Sequence, residues 1–500
     1  MHYSEIIVFA IYLFFMLGIG VYFFIKDRNG GEKTYFLGDR KMGAWVAALS
    51  AGASDMSAWV LMGLPTAIYL SGMCEVWCPL GLALGYSISW LFQAPRLRKF
   101  SVIYGDSITI PQFLTNRFLS QSKALQIICA VVFLIAYTIY SASSVKACST
   151  LFNTVTGMNP TNAMYLAAIV IVGYTFLGGF SAVCWTDFFQ GLLILGAMLI
   201  APIFAVISLN SVEPSAFTEA VANLGSLPEP ITVETNIWAN AWEWKSIASG
   251  LGWGLGYFGM PHIIIRFMSI RSQKELRKSS IIGISWTVII VIFAAAIGLV
   301  GRSVIIPTAD LAKGELVFIQ MVRSIFPGII SGVLLSAVLA ASMSTADSQL
   351  LAASSAFSSD VYKPLIRSNK ANDAELLWVG RFIVLIVALL ALIIASNPKC
   401  GSIMSLVSNA WGVFGAAFGP TIMLCLFWKR FNFQGAIAGI VVGAAVDILW
   451  LLFCGKIGLY EIIPGFLAGA IAAIVVTLLT PAPNAEALAK FDEAVSSTKD

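Results

Sequence analysis

The amino-acid sequence consists mainly of long apolar runs separated by short polar segments. A membrane-spanning helix needs about 20 consecutive apolar residues, and about 13 runs meet that requirement. Hydrophobic residues make up 58% of the chain and charged residues 11%, so lipid must be the solvent for most of its apolar surface. The sequence therefore predicts an all-α integral membrane protein. Its predicted spans are 5–25, 43–72, 76–95, 124–153, 161–179, 186–209, 242–266, 279–300, 316–350, 376–396, 401–428, 433–454 and 458–480.

Basic residues cluster in alternate loops between these runs. The first such loop carries Lys26, Arg28, Lys33, Arg40 and Lys41, and the others carry further lysines and arginines, among them Arg98, Arg117, Arg266, Lys363 and Lys429. The intervening segment 210–241 contains four glutamates and neither lysine nor arginine. The positive-inside rule then predicts an N-terminus outside and a C-terminus inside, which requires an odd number of spans. The net charge of +4 is small and follows the loops, so a nucleic-acid partner is not expected.

Asp55 lies within the apolar run 43–72. At 1.5 Å per residue it is about 18 Å into that span, near the middle of the membrane. A carboxylate at this depth usually faces a cavity and has a function. Gly52 and Pro65 weaken the helix on either side, and an unwound segment is tolerated there only where it lines a cavity. The pattern indicates an ion-coupled carrier.

A second interrupted run, Gly252–His262, lies five predicted spans later and contains four glycines and a proline. Each glycine costs a helix about 1 kcal/mol and proline about 3 kcal/mol. Because five is odd, the two interrupted spans cross the membrane in opposite directions, as inverted repeats of five helices require. Two kinked helices that use glycine for close packing remain an alternative. The predicted division is 1–42, repeat one 43–209, an extracellular loop 210–241, repeat two 242–430, two final spans 431–480 and a mobile cytoplasmic tail 481–500.

Oxygen atoms suited to a sodium ion occur in two places. Ser344 and Thr345 offer adjacent hydroxyl groups, and Ala341 offers a carbonyl group one turn earlier. Together with carbonyl groups released near Ala53 and Met56, they provide five oxygen ligands. The alternative is that Ser344 and Thr345 bond back to their own helix.

Trp59, Trp253 and Tyr257 lie in the interrupted spans, and a fourth aromatic residue, Tyr140, lies in the predicted span 124–153. Aromatic rings can surround an ammonium group and a small apolar ring, and the N-termini of half-helices favour a carboxylate. The combination suits a small zwitterionic solute. Packing or an interfacial aromatic belt is the alternative for each ring.

Two charged residues near the predicted cytoplasmic face remain ambiguous. Asp187 follows a glycine-marked turn, so it either caps the next span in its first turn or belongs to an ion path or gate. Arg40 is either an anchor under the positive-inside rule or part of an inner gate. The chain has only two histidines, and eight cysteines that fall mostly within apolar runs, which gives little support to a resident metal.

Longer motifs carry a resemblance to a known family. The sequence resembles the sodium:solute symporter family, and within it the proline-transporting branch. The resemblance extends over nearly all of the chain, and its most specific segments are Ser50–Pro65, Gly178–Gln190, Gly252–Phe267 and Leu334–Gln349. It implies a LeuT-like core of five plus five inverted-repeat helices, with one additional span before the core and two after it.

The resemblance also implies roles for individual residues. The sodium ligands are expected to be the carbonyl groups of Ala53, Met56 and Ala341 with the hydroxyl groups of Ser344 and Thr345. Asp55 and Asp187 are expected to act in ion coupling, and Arg40 in gating. The expected substrate contacts are Ser57, Trp59, Tyr140, Trp253, Tyr257 and Pro261.

The function that follows is secondary active transport, in which inward sodium movement drives L-proline uptake by alternating access. Another small solute, such as pantothenate, a sugar acid or a different amino acid, is the alternative. Neither a continuous polar pore nor a paired acid and base is visible, so a channel and an enzyme are disfavoured. The expected partners are L-proline, co-transported sodium and membrane lipid, with no obligate protein partner. The expected location is the bacterial cytoplasmic membrane.

Overall fold

The computed structural model describes residues 3–27, 30–177 and 179–497. Arg28 of the first basic loop and Gly178 of the glycine-marked turn lie outside these described residues. Within them, all the named regular elements are helices. The first eleven are α1 (Tyr3–Lys26), α2 (Glu32–Leu37), α3 (Ala44–Asp55), α4 (Leu64–Ser71), α5 (Trp77–Ile88), α6 (Ala94–Ile103), α7 (Ile110–Arg117), α8 (Ala124–Thr156), α9 (Pro160–Leu177), α10 (Phe180–Ser208) and α11 (Pro214–Gly225).

The named elements in the second half of the chain are also helices. Its helices are α12 (Trp244–Gly252), α13 (Pro261–Ser269), α14 (Gln273–Val304), α15 (Ala309–Gly314), α16 (Val317–Ile325), α17 (Gly328–Phe357), α18 (Asp373–Ser396), α19 (Ile403–Phe427), α20 (Phe433–Leu449), α21 (Ile462–Leu479) and α22 (Ala485–Ser496). Short 3₁₀ or π stretches cover Gly38–Arg40, Trp59–Gly63, Gly72–Val76, Ser89–Gln93, Trp253–Phe258, Ser358–Ile366, Trp450–Cys454 and Gly455–Ile457.

Ten helical stretches among the described residues are long and apolar enough to cross a membrane. The predicted spans 43–72 and 242–266 are not among them as unbroken helices, because each is interrupted near its middle. The predicted number of 13 spans therefore remains a prediction. One boundary was wrong: the predicted span 316–350 is divided at Phe326 and Pro327, so the long helix α17 begins only at Gly328. Proline lacks the N–H that would continue α16, which explains the division.

The C-terminal segment corrects another expectation. Instead of a mobile tail, the segment forms α22, which packs against α6. Phe491 is buried, with the Arg117 guanidinium 4.7 Å from its ring centroid. Asp492 forms an ion pair with Lys429 at 2.5 Å. An amphipathic helix with one buried aromatic residue thus fixes the segment, and Arg117 packs inside the protein rather than marking an exposed loop.

The two interrupted spans occupy the centre of the bundle. Helix α3 packs against α10, α13, α14 and α17, while the stretch Trp253–Phe258 packs against α5 and α19. Glycine allows the second of these contacts: a Cβ on Gly85 would lie 2.2 Å from the carbonyl oxygen of Gly254, and a Cβ on Gly254 would lie 2.3 Å from that of Gly81. Close packing and interruption therefore coincide at the second break, although the sequence presented them as alternatives.

We expect Gly85→Ala to destabilise the protein, because its new methyl group overlaps the Gly254 backbone. Gly196→Ala is the matched control, since a Cβ at this helical glycine meets nothing within 4 Å. Replacing that glycine should leave stability unchanged or raise it by up to about 1 kcal/mol. The measurement is the thermal midpoint of the detergent-purified protein. Equal midpoints for the two variants would contradict the close approach of α5 to the second break.

Candidate ion and substrate site

The first interruption begins where α3 ends at Asp55. Met56 leaves the helix with φ −80° and ψ 71°, and the Ser57 N–H donates to the Asp55 carbonyl oxygen at 2.9 Å. A π-helical stretch follows from Trp59, whose Nε1 donates to the same carbonyl oxygen at 3.3 Å. These residues are all buried. The unwinding predicted beside Asp55 is therefore present, and it occurs inside the protein.

The second interruption lies between α12 and α13. A 3₁₀ stretch from Trp253 to Phe258 is followed by Met260, whose φ of −78° and ψ of 102° are extended. Pro261 is buried and opens α13. Since its missing N–H is not needed in the first turn, proline suits this position.

The two interruptions meet directly. The Tyr257 hydroxyl group donates to Asp55 Oδ2 at 2.6 Å, and the rings of Trp59 and Trp253 stack with centroids 5.9 Å apart. His262 Nε2 lies 3.3 Å from the Ser54 carbonyl oxygen. Asp55 Oδ1 is buried and has no hydrogen-bond partner among the described residues. One carboxylate oxygen therefore joins the two breaks, while the other remains available to a cation.

The five predicted sodium ligands come from α17 and from the end of α3. Ser344 Oγ donates to the Ala53 carbonyl oxygen at 2.8 Å and lies 3.2 Å from that of Ala341. Thr345 Oγ1 is buried and has no hydrogen-bond partner in the part of the chain that the structure describes, and Met56 is fully buried at the break. Bonding to the helix's own backbone does not account for the pair: Thr345 makes no such bond, and the shorter bond of Ser344 crosses to the first break.

Four of the six predicted substrate residues are aromatic and form what we call the aromatic wall: Trp59, Tyr140, Trp253 and Tyr257. Tyr140 is fully buried, and its ring centroid lies 6.2 Å from that of His262. Trp253 packs against Tyr460 with ring centroids 5.1 Å apart. Ser57 lies at the break, where its Oγ is 3.5 Å from the Trp59 backbone nitrogen. All six predicted contacts thus lie at or beside the two breaks.

A polar vestibule of about 410 Å³ leads to this wall. Trp253, which is 8% exposed, lines the vestibule. Its other lining residues come from α5 and α12, from the segments just before these helices and from the turn 455–458. They are Cys74, Glu75, Cys78, Glu243, Lys245, Ser246, Ser249, Gly250, Lys456, Ile457 and Gly458. A small polar solute entering from this side would meet Trp253 first.

Asp187 does not cap its helix. It is the eighth residue of α10, about two turns from the start of the helix, and is completely buried. Its Oδ2 accepts from Ser50 at 2.7 Å and from Ser54 at 3.0 Å, and Arg266 Nη2 forms an ion pair with it at 3.2 Å. The capping interpretation is therefore wrong. Asp187 belongs to a buried polar network that holds α10 against the first break.

Arg40 lies at the opposite end of α3 from the break and is buried. Its Nη1 donates to the Met268 carbonyl oxygen at 2.5 Å, and its Nη2 donates to that of Ser107 at 2.7 Å. Its Nε pairs with Asp106 at 2.8 Å. This one side chain thus ties the start of the first interrupted span to α13 and to the loop after α6.

The acidic partner of Arg40 is ionised at neutral pH. Burial acts to raise the pKa of the Asp106 carboxyl group, but the hydrogen bond from Lys33 and the charge of Arg40 outweigh it, so the pKa lies below its ordinary value. An ionised acceptor strengthens the contacts of the guanidinium group. Met42 and Ile270 also pair as a short parallel bridge beside it, so this end of the site is closed.

Sequence reasoning missed Arg266, which it assigned to a basic loop. The residue lies within α13, is 1% exposed, and bonds Ser348 at 2.6 Å as well as Asp187. Its direct apolar neighbours, Ile265 and Phe267, were a signal of burial. Tyr86, whose ring packs 5.1 Å from that of Tyr257, was also missed, and nothing in the sequence distinguished it from other tyrosines.

A solved structure has the same architecture. The chain aligns with a sodium-coupled sialic acid symporter, described in a substrate-bound outward-open state, at a TM-score of 0.75 and 22% identity. The alignment covers 96% of this chain and 98% of the other. At this identity the likeness shows the fold alone, which is the all-helical LeuT-like fold that the sequence resemblance implied.

Two relatives are much closer in sequence. The sodium/proline symporter of Escherichia coli (strain K12) is 41% identical over 497 residues, which cover 98% of this chain and 96% of the relative. The high-affinity proline transporter PutP of Bacillus subtilis (strain 168) is 41% identical over 489 residues, covering 96% and 98%.

The family model extends over most of the chain. The model described as sodium:solute symporter family matches residues 35–443, a range that contains both interruptions, Arg40, Asp187 and α17. The expected fold, two meeting helix breaks and full-length relatives agree with that match. The chain is therefore a transporter rather than an enzyme, and it belongs to the sodium:solute symporter family.

Proposed function

We propose that this chain couples inward sodium movement to L-proline uptake by alternating access. Sodium is the co-transported ion of its family, and relatives 41% identical over nearly their whole length are named as proline carriers. The structural observation that supports the proposal best is the Tyr257–Asp55 hydrogen bond. It links the first break, where we propose that sodium binds, to the aromatic wall. The protein would lie in the bacterial cytoplasmic membrane, with its N-terminus outside and its C-terminus inside.

The sodium site is proposed between the first break and α17. Ala53, Met56 and Ala341 would supply carbonyl oxygens, and Ser344 and Thr345 would supply hydroxyl oxygens. The 2.8 Å contact between Ser344 and Ala53 supports this assignment, as does the unpaired Thr345 hydroxyl group. Oxygen atoms are the ligands that a hard cation prefers. Asp55 would contribute charge to this site, and Asp187 would hold α10 and the first break in register.

Proline would bind against the aromatic wall on the vestibule side. Trp253 and Tyr257 would enclose the pyrrolidine ring, and Trp59 and Tyr140 would complete the enclosure. Ser57 would offer a polar contact at the first break, and Pro261 would offer an apolar one at the second. Because Tyr257 bonds Asp55 directly, sodium and proline would each favour the same arrangement of the two breaks. Such coupling is reciprocal for binding.

Alternating access would open the site at its two ends in turn. The vestibule reaches Trp253 from one end, while Arg40 and the Met42–Ile270 bridge close the other. We propose that Arg40 is the inner gate, released when α13 moves away from the start of α3. The charge-assisted bonds of its guanidinium group are strong but local, so one movement would break them together.

The decisive experiment is uptake of radiolabelled proline into proteoliposomes, with and without an inward sodium gradient. Proline should accumulate only with the gradient. Unlabelled proline should compete best, close ring analogues partly, and glucose or pantothenate not at all. Effective competition by pantothenate or a sugar acid, with proline inert, would assign the carrier to a different solute.

We expect Asp55→Asn to abolish most sodium-driven uptake while the protein still folds, because it removes the charge at the break. Tyr257→Phe should raise the sodium concentration for half-maximal uptake, because it removes only the donor to Asp55. Tyr86→Phe is the matched control: Tyr86 is a neighbouring buried tyrosine whose hydroxyl group, among the described residues, makes no hydrogen bond to Asp55. Sodium dependence is measured for all three. If Tyr257→Phe behaves like Tyr86→Phe, the bond to Asp55 has no part in coupling.

Ser344→Ala and Thr345→Ala should each raise the sodium requirement and, through reciprocal coupling, lower the apparent affinity for proline. A control lies in the same helix: Ser342 donates to its own Val338 carbonyl oxygen at 2.8 Å, so Ser342→Ala should leave the sodium requirement unchanged. Uptake is titrated with sodium at fixed proline. A shift in Ser342→Ala as large as in the other two would indicate a general loss of helix packing instead of lost ligands.

Trp253→Ala should weaken proline binding strongly, but leave sodium binding in the absence of proline nearly unchanged. Its ring forms the vestibule side of the aromatic wall, whereas the proposed ion ligands lie on α3 and α17. Binding of each ligand is measured separately on purified protein, with Trp378→Ala, at a surface tryptophan that is 62% exposed, as the control. Parallel losses for both ligands would contradict separate sites.

A further inference from the structure

Arg381 is a positive charge inside a membrane-spanning helix that takes no part in the two breaks. It is the ninth residue of α18, about 12 Å from the start of that helix at 1.5 Å per residue. Helix α18 is apolar enough to cross a membrane, and it packs against α8, α9 and α17. A basic residue within a span is costly, so it usually has a partner and a function.

The protein itself supplies no acid for this charge. Among the described residues, no carboxylate oxygen lies within 4.0 Å of Arg381. Its guanidinium carbon lies 5.5 Å from the ring centroid of Phe24 and 5.6 Å from that of Phe176, and the group interacts with the Tyr35 hydroxyl group. Its Nε is buried and has no hydrogen-bond partner in the described part of the chain. Rings and a neutral hydroxyl group hold the guanidinium group without neutralising it.

A cleft of about 180 Å³ opens beside Arg381, where α1 ends and α18 begins. Among the described residues that line it, Asp27 and Arg381 carry the charges, and these two do not form an ion pair. Gly179, the N-cap of α10, also lines the cleft, so the positive end of that helix dipole adds to the charge of Arg381. The cleft therefore presents a site for an anion and, apart from it, one carboxylate.

The position of the cleft suits a lipid head group. Its residues come from the last turn of α1, the first turns of α18 and the polar segment between α1 and α3. This end of the bundle is the predicted cytoplasmic side, where charged pockets between membrane helices bind lipid head groups. Beside the cleft, Phe24 and Phe382 are 41% and 62% exposed. A phospholipid can thus place its head group in the cleft while its acyl chains follow these exposed rings.

We propose that this cleft binds the head group of phosphatidylethanolamine. The phosphodiester group accepts hydrogen bonds from Arg381, whose planar fork of donors suits two phosphate oxygens, and from N–H groups at the start of α10. The ammonium group donates to Asp27. Phosphatidylglycerol lacks the ammonium group, and the quaternary nitrogen of phosphatidylcholine has no hydrogen to donate, so neither lipid satisfies both charges. The site depends neither on sodium nor on the solute that is carried.

Native mass spectrometry of the full-length protein, with one lipid added at a time, tests the choice of head group. Wild type should bind phosphatidylethanolamine about tenfold more tightly than phosphatidylglycerol or phosphatidylcholine, because each of these loses one charge-assisted hydrogen bond. Inorganic phosphate should not displace the lipid. Equal affinity for the three lipids would overturn the proposal in favour of an unselective apolar surface. Displacement by inorganic phosphate would overturn it in favour of a site for a soluble anion.

Two variants test the two charges separately. Asp27→Asn should still bind phospholipid but lose the preference for phosphatidylethanolamine over phosphatidylglycerol, whereas Arg381→Gln should lose binding of both. The matched controls are Glu219→Gln, at an exposed acid on α11, and Lys399→Gln, at an exposed lysine beyond the other end of α18. Both controls should bind as wild type does. An unchanged preference in Asp27→Asn, or unchanged binding in Arg381→Gln, would show that the lipid binds elsewhere.

Thermal midpoints measured without added lipid establish that each variant is folded. Should Arg381→Gln be unfolded, Arg381→Lys provides a second test, because lysine keeps the positive charge but not the planar fork of donors. This variant should bind phosphatidylethanolamine less tightly than wild type does. Wild-type affinity in folded Arg381→Lys would contradict the assigned contact between the guanidinium group and the phosphate.

Discussion

The hydrogen bond between Tyr257 and Asp55 is the contact on which the rest of the site depends. Each participant lies where a helix is interrupted, and interrupted backbone at membrane depth survives only inside the protein. The surrounding helices supply that interior. Helices α10, α13, α14 and α17 enclose the first break, while α5 and α19 enclose the second. The bundle therefore surrounds one point at which two incomplete helices complete each other's polar contacts.

The polar network around Asp187 has a different role from the first break. Ser50, Ser54 and Arg266 all direct donors to one oxygen of this buried acid. A buried ion pair contributes little net stability once desolvation is included, but breaking it is costly. The network consequently fixes how α3, α10 and α13 lie relative to one another. Arg40 does the same at the closed end of α3, where it joins α13 and the loop after α6.

Much of the site was predictable because its signals are local. A carboxylate in an apolar run, glycines clustered in a second run and adjacent hydroxyl residues in α17 each follow from a few neighbouring residues. The structure brings Asp55, Ser344, Trp253 and Tyr257 around the two breaks. Arg266 and Tyr86 were missed because their importance comes from residues far away in the chain. The mobile-tail prediction failed for the same reason, since Phe491 packs against Phe100 and Arg117, which lie far from it in the chain.

The sequence by itself determined that this chain is an all-helical membrane protein with two interrupted spans, because hydropathy and helix breaking are properties of short segments. Tertiary structure decided which atoms meet. It paired Asp55 with Tyr257, and it moved Asp187 from a supposed helix cap into a buried network. Those outcomes depend on how helices cross, and crossing depends on small residues such as Gly85 and Gly254, whose missing side chains allow groups distant in sequence to approach.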